Sequence, residues 1–472
     1  MLISQLLEAI DLKCKTKDCD ITNITDDSRK CRRGSMFVCH DSGKKYVSKA
    51  IENGAVIVIA GEKLCEDCIV VPDTRKAYSI LCAAFFGFCH KRLKLIGITG
   101  TNGKTTVAYM IHSILSLSGK KCGLIGTVEN KLLCEDTVSS MTTPDCFEMH
   151  SMFQKLVESG AEYCIIEASS QGIKQQRVYG LNFDFAVLTG ISQDHLDYHG
   201  DMESYVESKK ELFRNSERSV INIDSPYADE FIKASKGKVI TYSQKRNEAN
   251  FVAKCARETE NSVDYAVLID YLIHRIKVNS PGSFNVMNSL AAVAVCYKSG
   301  ICIESCAAAL RTFSPVKGRM EILDINEPFK VIIDYAHTPE SLRQTLISLR
   351  NFPHSRIITV FGCGGDRDEI KRPIMGKTAC ELSDIVIITS DNPRNEEPMR
   401  IIDNILSGTK KSKTPVFIRE NRKEAIEYAL KTARKNDIIL LAGKGHETYQ
   451  ILGEEKIPLD EREIVKAFLS KC

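Results

Sequence analysis

Residues 97 to 106, "GITGTNGKTT", close an apolar run and place glycines at 97, 100 and 103 ahead of Lys104, Thr105 and Thr106. Glycines let a backbone approach an anion, and free N–H groups at a helix start favour phosphate. In such a loop Lys104 contacts the β- and γ-phosphates of a nucleotide, and Thr105 or Thr106 ligates Mg²⁺. The eight-residue phosphate-loop pattern would place its first glycine where Ile98 stands, so this is a near match. Glu167 ends the apolar stretch "YCIIE", and ligands gather at strand ends of open α/β sheets. "SQDHLDYHG" offers Asp194, His195, Asp197 and His199 to a second cation; the plainer alternative is a solvated loop with helix-capping aspartates. Two cations beside a nucleotide suit phosphoryl transfer. A GTPase is disfavoured because no NKxD occurs, and a protein kinase because HRD and DFG are missing.

These groups need strands and helices to hold them. Runs such as "GSMFV" and "AVIVIAGE" mixed with "KAYSILCAAFFGFC" predict a small α/β domain over residues 1–90. "LKLIGITG", "EYCIIEA", "FDFAVLTG" and "RSVINID" alternate with helical patterns, which predicts a mainly parallel, helix-flanked sheet over 91–315. A second alternating series, from "FKVIIDY" to "NDIILLAG", predicts a Rossmann-like domain over 316–472, with no GxGxxG to imply NAD. The expected fold is therefore α/β in three domains. The opening "MLISQLLEAIDLKCKTKD" reads as an amphipathic helix and lacks the features of a signal peptide, so a cytoplasmic chain is expected.

The composition narrows the classes of function. With 43% hydrophobic and 26% charged residues, and no apolar run near the ~18 residues of a membrane span, neither a membrane protein nor a disordered one is expected. A net charge of +3 without a basic stripe argues against nucleic acid. The 19 cysteines are scattered, as buried or free thiols would be. The pair Cys65 and Cys68 lacks the companion pair of a zinc site.

Several stretches, in order, resemble the Mur ligases: "DSRKCRRGSMFV", "GITGTNGKTT", "MTTPD", "IIEASSQGIKQQRVYGL", "DHLDYHGDMESYVESKKELF", "GSFNVMNSLAA", "VKGRME", "DYAHTPESL", "GCGGDRDEIKRPIMG", "SDNPRNEEP" and "LAGKGHETYQ". The resemblance covers nearly the whole chain. It implies a UDP-binding first domain, a central ATPase and a third domain that brings an amino acid. ATP would phosphorylate the D-glutamyl carboxylate of UDP-MurNAc-L-Ala-D-Glu, and an amine would attack the acyl phosphate. By the same resemblance, the phosphate loop from Gly100 through Thr101, Asn102, Gly103, Lys104 and Thr105 to Thr106 binds ATP with Asn288, Arg319 and Asp334. Ser28 contacts UDP, and Thr142, Thr143, Ser169, Gln175 and Arg177 hold the muramoyl dipeptide. Lys104, His195 and Lys209 are the implied catalytic residues, with Thr105, Glu167, His195 and Lys209 as metal ligands. Lys209 takes that role as a carbamate, which turns an ammonium into a carboxylate-like ligand; taken alone it is an ordinary exposed helical lysine.

"DNPR", Asp391, Asn392, Pro393 and Arg394, resembles the motif of ligases that use meso-2,6-diaminopimelate, where the arginine grips the distal carboxylate. L-Lysine has no such carboxylate and would leave Arg394 unpaired. Arg367, Gly443 and Glu447 match the other amino-acid contacts, Glu447 as partner for an ammonium. Gln171 and Gly190 depart from the His and Asn usual in the family, and "CHDSGKKYVSKAI" lacks the usual Asp-Gly-His. The competing readings are the L-lysine-adding version of the same ligase, a folylpolyglutamate synthetase, and a nucleotide-binding regulatory module without turnover. A monomer is expected.

Overall fold

The computed structural model describes residues 1–13 and 18–470. A four-stranded, all-parallel sheet runs Asn23–Thr25, Ser35–Cys39, Ala55–Ala60, Cys68–Val70. The opening helix is shorter than its sequence suggests, Ile3–Glu8. Ile10 and Leu12 both donate to the Leu7 carbonyl and Asp11 turns left-handed at φ 56°, which ends the helix. The rest of that stretch, residues 14–17, lies outside the described residues.

The large sheet has eleven strands among the described residues. Its centre is parallel: Lys94–Thr99 lies between Tyr163–Glu167 and Phe185–Leu188, followed outward by Arg218–Asn222 and Lys238–Ser243. These strands are continuous apolar runs because helices cover both faces and leave two buried cores. Both wings are antiparallel. On one side Phe251–Glu258, Val263–Ile269 and Leu272–Val278 form a meander; on the other lie Glu129–Lys131 and Asp136–Val138. The meander was not signalled by the βα alternation, since Leu272–Val278 is an edge strand with its first residues exposed.

The third sheet is parallel except for its edge pair, Glu321–Ile322 with Lys330–Asp334. It is ordered Glu321–Ile322, Lys330–Asp334, Ile438–Ala442, Ile357–Phe361, Ile385–Ile388, Val416–Ile418. Its helices start at side-chain caps, Thr338 ahead of Pro339 and Asn421 ahead of Arg422. Among the described residues no disulfide joins the cysteines, and no helix is long and apolar enough to cross a membrane.

The first sheet's helix Thr74–Phe85 packs on helix Cys146–Glu158 of the central unit, through Ser79 to Cys146 (3.0 Å) and the rings of Phe85, Phe86 and Phe147. Beside that contact His90 and His150 stack at 5.2 Å, and neither Nδ1 has a hydrogen-bond partner. Burial pushes their pKa values down to about 4 and about 3. Both rings stay neutral in the fold but gain protons on unfolding below pH ~6.5, so the unfolded state binds more protons and stability falls as pH drops from there toward 4. We expect a loss of about 1–3 kcal/mol across that window, read from unfolding midpoints. His150→Phe should flatten the dependence, and an unchanged slope in that variant would contradict this assignment.

Candidate active site

Register brings the chemistry together at one end of the central sheet. Ile98 pairs with Glu167 and Thr99 with Leu188, so the phosphate loop leaves its strand beside the last residue of one neighbour and the end of the other. Gly103 is left-handed at φ 86°, and a Cβ there would come within 2.5 Å of Asn288 Oδ1, so only glycine fits between loop and helix Asn285–Lys298. Thr101 N donates to the Gly190 carbonyl (2.8 Å), and Thr101 Oγ1 donates to the Ser192 carbonyl (3.0 Å). Lys104, buried against the loop, donates to the carbonyls of Gly100 (2.9 Å) and Thr101 (3.0 Å). Burial lowers its pKa, opposed by Glu167 and Asp194.

Glu167 is fully buried. Its Oε2 accepts from the hydroxyls of Thr105 and Thr127, both at 2.8 Å, and its Oε1 from Thr127 N at 2.9 Å. Its own carbonyl accepts from Thr143 Oγ1 (2.8 Å), which also meets Ser169 Oγ (3.0 Å). Arg177 extends the set by donating to the Thr143 carbonyl and to Gln175 Oε1, both at 2.6 Å, and Thr127 Oγ1 donates to Thr142 Oγ1 (3.2 Å). Thr142, Thr143, Ser169, Gln175 and Arg177 therefore form one network around the Glu167 strand end. Ser169 also caps the short helix Ser170–Lys174 through Gly172 N. Ser28 stands apart in the first unit, buried at the start of the turn Ser28–Lys30.

Lys209 is not the exposed lysine its helix pattern suggests: on Met202–Arg214 it is 1% exposed. Its Nζ reaches only Thr99 Oγ1 (3.3 Å) and the Gly100 carbonyl (3.1 Å), above the Tyr205 ring. Burial first, then Lys104, holds its pKa well below the ordinary lysine value. His195, left-handed at φ 55°, lies 3.4 Å from Asp194. Burial lowers its pKa against the pull of Asp194. For Asp194, burial acts upward, but His195, Lys371, His337 and Lys104 outweigh it and hold the carboxyl at about 2.

The second-cation set expected from "SQDHLDYHG" does not assemble. His199 is packed between the rings of Tyr198 and Tyr205, Asp197 faces Arg367 at 3.9 Å, and among the described residues no three His, Cys, Asp or Glu side chains gather as a metal set. The cause is the four-residue helix Leu196–His199, which turns the alternate side chains apart. Gly190 leaves open the space where the family has Asn: a Cβ there would have only Asn222 Nδ2, at 3.8 Å, for a neighbour. Asn222 donates to the Thr189 carbonyl (2.8 Å), so an amide is still present at this strand end, supplied by the next strand but one.

The third unit reaches the loop directly. Arg319 lies over the Tyr335 ring and donates to Thr105 Oγ1 (3.3 Å). Asp334 accepts from Met320 N and Ala336 N, which fixes the turn that carries Arg319. His337, buried with Nδ1 2.7 Å from the Tyr335 carbonyl, has its pKa pushed down to about 4 by burial and then Lys371. Gln193 to Asp368 (3.4 Å) and Asp194 to Lys371 (3.9 Å) also cross between the sheets.

Behind these contacts "DNPR" lines a second pocket. Arg394 sits at φ 54°, held by Arg394 N to the Ile451 carbonyl (3.1 Å) and Gly453 N to the Arg394 carbonyl (2.8 Å). Its guanidinium donates to the carbonyls of Gly365 (2.8 Å) and Asn392 (3.3 Å), and among the described residues it forms no ion pair with a carboxylate. Burial and then Arg367 lower its pKa, as for a cation short of counter-charge. Gly443, at φ 109°, would press a Cβ to 2.6 Å from Asp391 Oδ2. Asn392 Nδ2 donates to Glu447 Oε2 (3.0 Å). The carbonyl of Pro393 packs against Gly365, where no side chain would fit. Two supports were not singled out from sequence: the buried Arg372, bidentate to Glu396 (2.9 and 2.7 Å), and the buried Lys444. Both stand inside quoted motifs, and their burial was the missing signal.

Comparison with known proteins agrees with this arrangement. Residues 98–296 match the Mur ligase middle domain, and 318–445 match the Mur ligase, glutamate ligase domain. The chain is 43% identical to UDP-N-acetylmuramoyl-L-alanyl-D-glutamate--2,6-diaminopimelate ligase 1 of Clostridium acetobutylicum, over 98% of this chain and 97% of that one. A solved structure of a UDP-N-acetylmuramoyl-L-alanyl-D-glutamate--2,6-diaminopimelate ligase superposes with a TM-score of 0.71 at 29% identity, over 100% and 99% of the two chains. A MurF ligase of Thermotoga maritima in complex with ADP shares the fold at a TM-score of 0.66 and 18% identity, over 95% and 97%. The chain belongs to the Mur ligase family.

Proposed function

We propose that this chain is an ATP-dependent, ADP-forming ligase that joins meso-2,6-diaminopimelate to the D-glutamyl carboxylate of UDP-N-acetylmuramoyl-L-Ala-D-Glu in peptidoglycan precursor synthesis. The observation that carries the amino-acid assignment is Arg394, a half-buried guanidinium with carbonyl partners and no carboxylate. A substrate carboxylate would complete it in two-pronged fashion. Glu447 takes the ammonium of the same substrate end, with Asp391, Asn392, Arg367 and Gly443 shaping the pocket.

A carboxylate resists attack by an amine until one of its oxygens becomes a good leaving group. The phosphate loop supplies that activation: Lys104 exchanges the carbonyls of Gly100 and Thr101 for the β- and γ-phosphates, and Asn288, Arg319 and Asp334 hold the rest of the nucleotide. The γ-phosphoryl passes to the D-glutamyl oxygen and ADP leaves. The amine of the second substrate then attacks the acyl carbon, phosphate departs, and a proton is lost from nitrogen as the amide forms. Ser28 anchors the uridine end, while Thr142, Thr143, Ser169, Gln175 and Arg177 orient the dipeptide. Contacts such as Arg319 to Thr105 and Lys371 to Asp194 bring the amine-carrying unit to the loop and help exclude water from the acyl phosphate.

Mg²⁺, when bound, neutralises charge on the transferred phosphoryl group. Thr105, Glu167, His195 and Lys209 would hold it. The donor set fits: Thr105 and Glu167 are already in contact, and a neutral imidazole is available at His195. Lys209 fits once converted. Its amine, depressed in pKa and lacking a carboxylate partner, attacks CO₂; an N–C bond forms, the nitrogen loses a proton, and a carbamate anion results.

Phosphate release in the presence of UDP-MurNAc-L-Ala-D-Glu, ATP and Mg²⁺ is expected with meso-diaminopimelate and not with L-lysine; release with L-lysine alone would overturn the specificity. Arg394→Ala should raise KM for diaminopimelate at least ~30-fold, as for a truncated buried charge contact worth about 2 kcal/mol or more. For Lys209, ¹³C-bicarbonate should give a protein carbamate resonance that is absent in Lys209→Ala. That variant should lose most of its turnover and regain part of it with small carboxylic acids. Full turnover in the untreated variant would remove the role.

A further inference from the structure

We infer that Lys444 is a specificity-determining positioning residue, which makes the amino-acid pocket accept a zwitterionic substrate end and refuse a purely cationic one. The inference rests on the diaminopimelate reading above and names how that site rejects a lone ammonium.

Lys444 follows strand Ile438–Ala442 and Gly443, and its side chain is 0% exposed. Its ammonium donates to Glu447 Oε2 (2.8 Å) and to Asn392 Oδ1 (2.7 Å), 5.5 Å from the Tyr449 ring centre. Asn392 donates to the same Glu447 oxygen (3.0 Å) and accepts Ile451 N (3.0 Å), so one buried cation ties the "DNPR" loop, Glu447 and the strand Tyr449–Leu452 together. A buried cation needs a hydrogen-bonded counter-charge, and Glu447 provides it.

The carboxylate offered to a substrate ammonium is therefore already shared with a protein ammonium. The charged groups around it are Asp391 and Glu447, with Asp366 at the rim, against Lys444, Arg394 and Arg367. A substrate end carrying one ammonium and one carboxylate adds no net charge here, and its carboxylate meets Arg394. L-Lysine would bring an ammonium alone to a carboxylate whose charge Lys444 has partly neutralised, beside an arginine left without an anion. Arg394 rewards the distal carboxylate, and Lys444 penalises the cation that lacks one.

The test is steady-state turnover of the full-length protein with meso-diaminopimelate and with L-lysine, for wild type and for Lys444→Met, Lys444→Gln and Lys444→Arg. In both neutral variants kcat/KM for diaminopimelate relative to L-lysine should fall at least tenfold, because KM for L-lysine falls while KM for diaminopimelate rises. Lys444→Arg should stay within about threefold of wild type. Lys444→Gln keeps a donor and loses the charge, so it carries the same reading if the methionine variant does not fold. An unchanged ratio in the neutral variants, or an equal loss with both amino acids, would overturn the inference and leave Lys444 a holder of the loop. A wild-type protein that turns over neither amino acid would instead overturn the ligase reading and the inference with it.

Discussion

The Glu167 carboxylate is removed from water at the end of its strand, and every group that donates to it comes from a different loop. A buried carboxylate is tolerable only when its oxygens are filled. Thr105 at the start of the phosphate-loop helix and Thr127 beyond the strand Cys122–Ile125 fill them. The Glu167 carbonyl then fixes Thr143, and through it Ser169 and Arg177. Gly126 stands where any side chain would run into the carboxylate. One anion thus sets the distance between the place where a nucleotide is gripped and the place where the muramoyl dipeptide is proposed to lie.

The cations around it are uneven, and the unevenness has chemical meaning. Lys104 has only loop carbonyls, Lys209 has a hydroxyl and a carbonyl, and Arg394 has two carbonyls. By contrast Arg372, Arg422 and Lys444 are buried against carboxylates and hold the scaffold. Cations satisfied by neutral oxygens are those to which the account assigns an incoming anion: phosphate, carbamate or substrate carboxylate. Left-handed φ values at His195 and Arg394 mark the same two places, where neighbouring hydrogen bonds hold the backbone against its preference.

Much of this was legible from residue order. The phosphate loop, the strand ends at Glu167 and Asp334, and the parallel centres of both large sheets follow from apolar runs closed by glycine and acid. The antiparallel meander was not, because its edge strand Leu272–Val278 exposes Leu272 and Ile273, and an exposed strand leaves little period to read. Nor was the burial of Lys209: on a helix wheel it is one lysine of a Lys-Lys pair, and only the packing of Met202–Arg214 over Thr99 turns it inward while Lys210 pairs with Glu207 and Glu230. The His199 side chain failed as a metal ligand for a similar reason, since a single helical turn separates it from His195. Lys444 was hidden by its type, as lysines are rarely fully buried and nothing in "GKGHE" marks this one as an exception.

The central claim is that this arrangement activates a carboxylate by giving it a phosphate leaving group. Substrate carrying ¹⁸O in the D-glutamyl carboxylate tests it most directly, by mass analysis of the inorganic phosphate released on turnover. The account predicts one ¹⁸O atom in each phosphate formed. Unlabelled phosphate, with both labelled oxygens retained on the muramoyl substrate, would contradict it.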